Sequence, residues 1–166
     1  MRRSPRILPE CYGDTLLVEL LGYAKPNHQQ PGGINRVLNT LEQKYPGQTA
    51  VGIIDKDKKI TPAYFQKFQT QREENHLILK KHSQRNHYLI LVIPALERFL
   101  LKAAAECGIP EAEIPFTEKR LKNISKTQEA GKNNKLKQFM NRIVQKKSPG
   151  TETLKTWLSE ILGQDN

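Results

Sequence analysis

Hydrophobic residues fall along this chain in runs of two kinds. Short unbroken runs stop at charged or turn-forming residues: Ile7-Leu8-Pro9 before Glu10, Ala50-Val51-Gly52-Ile53-Ile54 before Asp55, Leu77-Ile78-Leu79 before Lys80, and Tyr88 to Ile93 before Pro94. Too short for helices, they predict strands, and the run at 50–54 has the length and composition of a strand buried on both faces. Longer stretches repeat at the helical period: Leu16, Leu17, Leu20 and Leu21; Ile34, Val37, Leu38 and Leu41; Leu96, Phe99, Leu100 and Ala103. Two more lie near the C-terminus, Leu136, Phe139, Met140, Ile143 and Val144, then Leu154, Trp157, Leu158, Ile161 and Leu162. Each predicts an amphipathic helix. Strands alternating with helices place the chain in the α/β class.

Breakers divide these elements. Residues 25–33, with Pro26, Pro31, Gly32 and Gly33, read as a loop with a very short edge strand near Tyr23 and Ala24, and Tyr45-Pro46-Gly47 ends the second helix. Thr61 and Pro62 have the residue types of an N-cap and first helical position, predicting a short helix to Phe68. The runs at 76–81 and 88–94 flank a polar turn at 83–86 and predict an antiparallel hairpin. Glu97 falls in the first turn of the helix after it, where a negative charge suits the helix dipole. His76, His82 and His87 have no metal-ligand spacing and read as surface residues.

Chemistry enters at the end of the run at 50–54. Successive strand residues point to opposite faces, so Asp55 and Asp57 share a face with Lys56 opposed. Two carboxylates beyond the C-terminal edge of a parallel sheet suit Mg²⁺ or Mn²⁺, and that edge is where open α/β sheets place their sites. The same Asp-Lys-Asp-Lys-Lys also reads as a charged turn. Glu10 is a second strand-end acid, followed by a Gly-containing turn, Cys11-Tyr12-Gly13-Asp14, and a helix.

A strand-end Glu, a helical crossover and a strand-end Asp-x-Asp resemble the Toprim domain of topoisomerases, bacterial primases and overcoming-lysogenization-defect nucleases. The resemblance covers roughly residues 6–105. Glu10 and Asp14 keep the four-residue spacing of the family's first motif, while its usual Gly is Cys11 here, with Gly13 two residues on. It implies a Rossmann-like, mostly parallel sheet flanked by helices, over residues 1–107. It also implies that Asp14, Asp55 and Asp57 hold Mg²⁺ or Mn²⁺, and that Glu10 acts as general acid or base in phosphodiester chemistry. Lys56, Lys58 and Lys59 would face the phosphate. Many relatives carry a third acid where Lys59 stands. Tyr12 and Thr15, beside Glu10, are candidate substrate contacts.

Charge supplies the remaining signal. The chain carries 27 Lys+Arg against 17 Asp+Glu, a net +10, and such a surface attracts polyanions. Past a linker-like stretch at 109–116, residues 117–147 hold ten cations (Lys119, Arg120, Lys122, Lys126, Lys132, Lys135, Lys137, Arg142, Lys146 and Lys147) against Glu118 and Glu129. Residues 108–166 thus read as a basic helical C-terminal extension whose outward face grips a nucleic-acid backbone, or as an ordinary solvated surface. Two distant cysteines indicate neither a disulfide framework nor a zinc site, and a reducing cytoplasm fits. No apolar signal core and no membrane-length run is present, so no membrane is expected. Three readings stand together: a Mg²⁺-dependent nuclease-like protein, a non-catalytic nucleic-acid-binding module, and a regulatory subunit of a larger ATPase-containing system.

Overall fold

A computed structural model describes residues 6–24, 26, 33–56 and 59–163. Among the described residues, five strands form one sheet: β1 (Ile7–Pro9), β2 (Ala50–Asp55), β3 (Phe68–Glu74), β4 (Leu77–His82) and β5 (His87–Val92), in the order β1-β2-β5-β4-β3. β1, β2 and β5 run parallel, with Ile7 opposite Val51 and Ile53 opposite Ile90, while β4 and β3 are antiparallel. The sheet is therefore mixed, and its parallel half carries the strand ends at Glu10 and Asp55. Among the described residues there are six α-helices: α1 (Tyr12–Leu20), α2 (Gly33–Lys44), α3 (Leu96–Glu106), α4 (Glu118–Ser125), α5 (Asn134–Gln145) and α6 (Pro149–Leu162).

Alternation along the strands divides the core. Val51, Ile53, Leu77, Leu79, Ile90 and Val92 face one side, in one apolar cluster with α1 and with α3 to α6, including Leu121, Leu136 and Trp157. Ala50, Ile54, Ile78, Leu89 and Leu91 face the other, against Val37, Leu38 and Leu41 of α2. Covering both faces explains the unbroken apolar composition of β2. The helices beyond residue 117 are folded onto the sheet, because their apolar stripes complete the first cluster. Within 109–116, Ile109 is buried and its N–H donates to Ala104 O at 2.9 Å.

Four expectations are corrected. Tyr23 and Ala24 form no strand, and among the described residues β1 is the sheet edge; Gly22, at φ +101°, follows the end of α1. The helix expected from Thr61 and Pro62 is one 3₁₀ turn, Ala63–Lys67, with extended Pro62 at its N-cap. The chain then enters β3, whose residues from Gln69 to Glu74 are all exposed. β3 and β4 meet through Asn75 and His76, both at positive φ (49° and 64°), as a two-residue turn matched to strand twist requires. Gly13 serves a close approach and no turn: inside α1, an added Cβ would lie 2.7 Å from Leu96 Cδ2 and from Ser125 Cβ. His82 and His87, finally, are buried.

Candidate functional site

β1 and β2 end side by side, and their terminal acids meet. The N–H of Glu10 donates to Ile53 O at 2.9 Å, continuing the parallel pairing by one residue. Its side chain turns back across the strand ends, where Glu10 Oε2 accepts the Asp55 N–H at 2.8 Å. A Cβ on Gly33, at the start of α2, would stand 3.9 Å from Glu10 Oε1, so this carboxylate also faces the positive end of a helix. Asp55 lies on the same side of β2 as Val51 and Ile53, and its Oδ1 accepts the N–H of Leu96 at 3.2 Å, in the first turn of α3. The N-cap of that helix, Ala95, has no side-chain acceptor, so a carboxylate from the neighbouring strand takes over the capping.

Asp14 enters from the first turn of α1, where Cys11 Sγ donates to its Oδ2 at 3.0 Å. Burial, then the negative charges of Asp14 and Asp55, push the Cys11 thiol well above its ordinary range. Cys11 is therefore a protonated donor at neutral pH, where the resembled motif has a glycine with no side chain to give. Glu10, Asp14 and Asp55 are 1%, 2% and 5% exposed, a burial that carboxylates tolerate only when hydrogen-bonded, paired or metal-bound. Glu97 is also buried in the first turn of α3.

Lys56 and Lys59 are exposed, and the Lys56 N–H donates to Val92 O at 3.0 Å. Asp57 and Lys58 lie outside the described residues. Among the described residues, no three His, Cys, Asp or Glu side chains are arranged to hold a metal ion. Of the oxygens of these acids, Glu10 Oε2 and Asp55 Oδ1 accept backbone N–H groups and Asp14 Oδ2 accepts a thiol.

The cations of residues 117–147 point outward. Nine of the ten are exposed; Arg142 is half-buried and pairs with Glu113 at 3.2 Å, the one ion pair any of the ten makes among the described residues. Two grooves cross this surface. One, of about 540 Å³, is lined by Phe116, Arg120, Lys132 and Lys135 among others. A smaller one, of about 210 Å³, shares Lys132 and runs to Tyr12 and Thr15 on α1, next to Asp14 in sequence. A third opening sets buried Glu97 beside Lys119 and Lys122.

His82 and His87 form a separate structural cluster with Tyr64 and Phe68, while His76 pairs with Glu106 at 2.9 Å. His87 Nε2 lies 2.6 Å from Tyr45 O, which can only accept, so Nε2 carries the proton and Nδ1 accepts from Tyr64 Oη at 2.6 Å. His82 Nδ1 accepts the N–H groups of Gln84 and Arg85, both at 3.0 Å, and thereby shapes the β4–β5 turn. Burial lowers the pKa of both rings, for His82 with help from the charges of His87 and Arg85. Their polar composition hid this, since the signal lies in partners distant in sequence. Below about pH 6.5 the unfolded chain takes up protons that the folded chain refuses. Stability is thus expected to fall as pH drops from 6.5 toward the lowered folded values, approaching about 1.4 kcal/mol per pH unit for each proton. Urea unfolding at pH 7.5, 6.5 and 5.5 measures it, and a flat profile would contradict the assignment of neutral, bonded rings.

Among the described residues no helix is long and apolar enough to cross a membrane. Compared with models of protein families, with curated proteins and with solved structures, the chain matches none.

Proposed function

We propose that this protein binds nucleic acid along the sugar-phosphate backbone, through the basic face of residues 117–147. The observation that carries this reading is the state of the cations: nine are exposed and make no ion pair among the described residues, although acids were available to the sequence. Their apolar neighbours lock the helices onto the sheet, so the charges are presented by a rigid surface. Such a surface holds phosphates by releasing condensed counterions and reads little base sequence. Binding of labelled single- and double-stranded oligonucleotides, measured across salt concentrations, tests it directly.

A second reading, metal-dependent phosphodiester cleavage, is favoured by one observation: Glu10 and Asp55 lie at the ends of neighbouring parallel strands and Asp14 in the first turn of the helix that follows Glu10, the arrangement the Toprim resemblance implies. The Asp55→Asn and Asp55→Ala variants separate the roles of that carboxylate. Asn keeps an Oδ1 acceptor for the Leu96 N–H, so it should cost less than about 1 kcal/mol in stability, against about 1–2 kcal/mol for Ala. Oligonucleotide binding should persist in both. If the wild type cleaves with Mg²⁺ or Mn²⁺ and Asp55→Asn does not, the crevice is catalytic; cleavage unchanged in Asp55→Asn removes Asp55 from any such site.

A further inference from the structure

The larger basic groove contains an aromatic ring. Phe116 is half-buried, and its ring stands 6.2 Å from that of buried Phe139 at 48° between planes, so the core holds it from one side. The part left exposed lines the groove of about 540 Å³ with Arg120, Lys132 and Lys135, and a volume of this order is typical of sites for small organic groups. None of the three cations is in an ion pair among the described residues. A planar apolar surface fixed from behind and rimmed by cations is the combination that takes an unstacked base and its flanking phosphates.

From this juxtaposition we infer that the Phe116 groove binds single-stranded nucleic acid, stacking one base on Phe116 while Arg120, Lys132 and Lys135 hold the phosphates. This rests on the backbone-binding reading and narrows its substrate class. A base stacked within a duplex presents only its edges to the grooves, and a half-buried ring cannot reach its face. The strand has a way onward as well: Lys132 also lines the smaller groove that leads to Tyr12 and Thr15. A polyanion recognised by charge alone, such as an acidic peptide, would leave Phe116 without a role.

The test uses the full chain and fluorescence anisotropy with three labelled probes: a 15-nucleotide oligothymidine, an abasic strand of equal length, and a 15-base-pair duplex. The wild type should bind oligothymidine about tenfold more tightly than the abasic strand, a typical effect of one stacked base. Phe116→Leu, which retains apolar contact with Phe139, should abolish that difference by lowering oligothymidine affinity about tenfold, toward that of the abasic strand. Phe116→Trp should keep it, and equal melting temperatures establish that the variants are folded. Equal wild-type binding of oligothymidine and abasic strand overturns the inference, as does a Phe116→Leu variant that still discriminates, or oligoglutamate displacing oligothymidine as effectively as unlabelled strand. In those cases backbone binding stands; if no probe binds, that reading fails with it.

Discussion

Reversing Lys119, Lys122, Lys135 and Lys137 to Glu is expected to weaken oligonucleotide binding on the order of a thousandfold at 0.1 M salt. All four are exposed and none makes an ion pair among the described residues, so the fold loses no contact that the structure supplies. Four reversals, each worth two charges, take the formal net charge from +10 to +2. The same arithmetic holds for Lys44, Lys67, Lys102 and Lys155, which are exposed but lie outside residues 117–147. Because net charge is matched, long-range attraction changes alike in both variants. Direct phosphate contacts are lost only in the first. The control should lose about tenfold or less; equal losses in the two variants would mean that no particular face does the binding.

The second large effect is on stability. Gly52 lies in the middle of β2, where α2 crosses the sheet so closely that an added Cβ would be 2.5 Å from Val37 Cγ1 and 3.0 Å from Leu89 Cδ2. Neither neighbour yields easily, since Val37 is β-branched within a helix and Leu89 is fully buried in the adjacent strand. Gly52→Val should cost about 3 kcal/mol or more, at the upper end of overpacking, even though valine is the better strand former. Gly52→Ala should cost about 1–2 kcal/mol. Combining Gly52→Ala with Val37→Ala should recover part of the loss, because the two sites share one clash. Denaturant unfolding measures all three, and additive costs in the double variant would show that the contact with Val37 is not what excludes a side chain.

Legibility in the sequence followed burial. β2 and β5 were readable because both their faces are covered, and the five marked helices because one apolar stripe each turns inward. β3 was not readable: Gln69 to Glu74 are exposed at the sheet edge, where polar residues discourage pairing with another chain and leave no period-2 signal. The positions of Glu10, Asp14 and Asp55 at element ends were legible, but their partners were not. That Asp55 would cap α3 or that Glu10 would accept the Asp55 N–H depends on how β1, β2 and α3 come together. Those contacts hold one oxygen of each of the two acids, and the assignment of Asp14, Asp55 and Asp57 to Mg²⁺ is a proposal tied to the resemblance. The same limit applies to His87, bonded to Tyr45 and Tyr64 from other elements, and to the groove that joins Phe116 with Lys132 and Lys135.

The measurement that bears most directly on the central claim is the salt dependence of oligonucleotide affinity for the unaltered protein. A face that engages five or more phosphates should give log K falling linearly with log salt, with a slope of about −3.5 or steeper on single strands. A slope near zero, or no binding at 50 mM salt, would contradict backbone recognition and leave the nine exposed cations as an ordinary solvated surface.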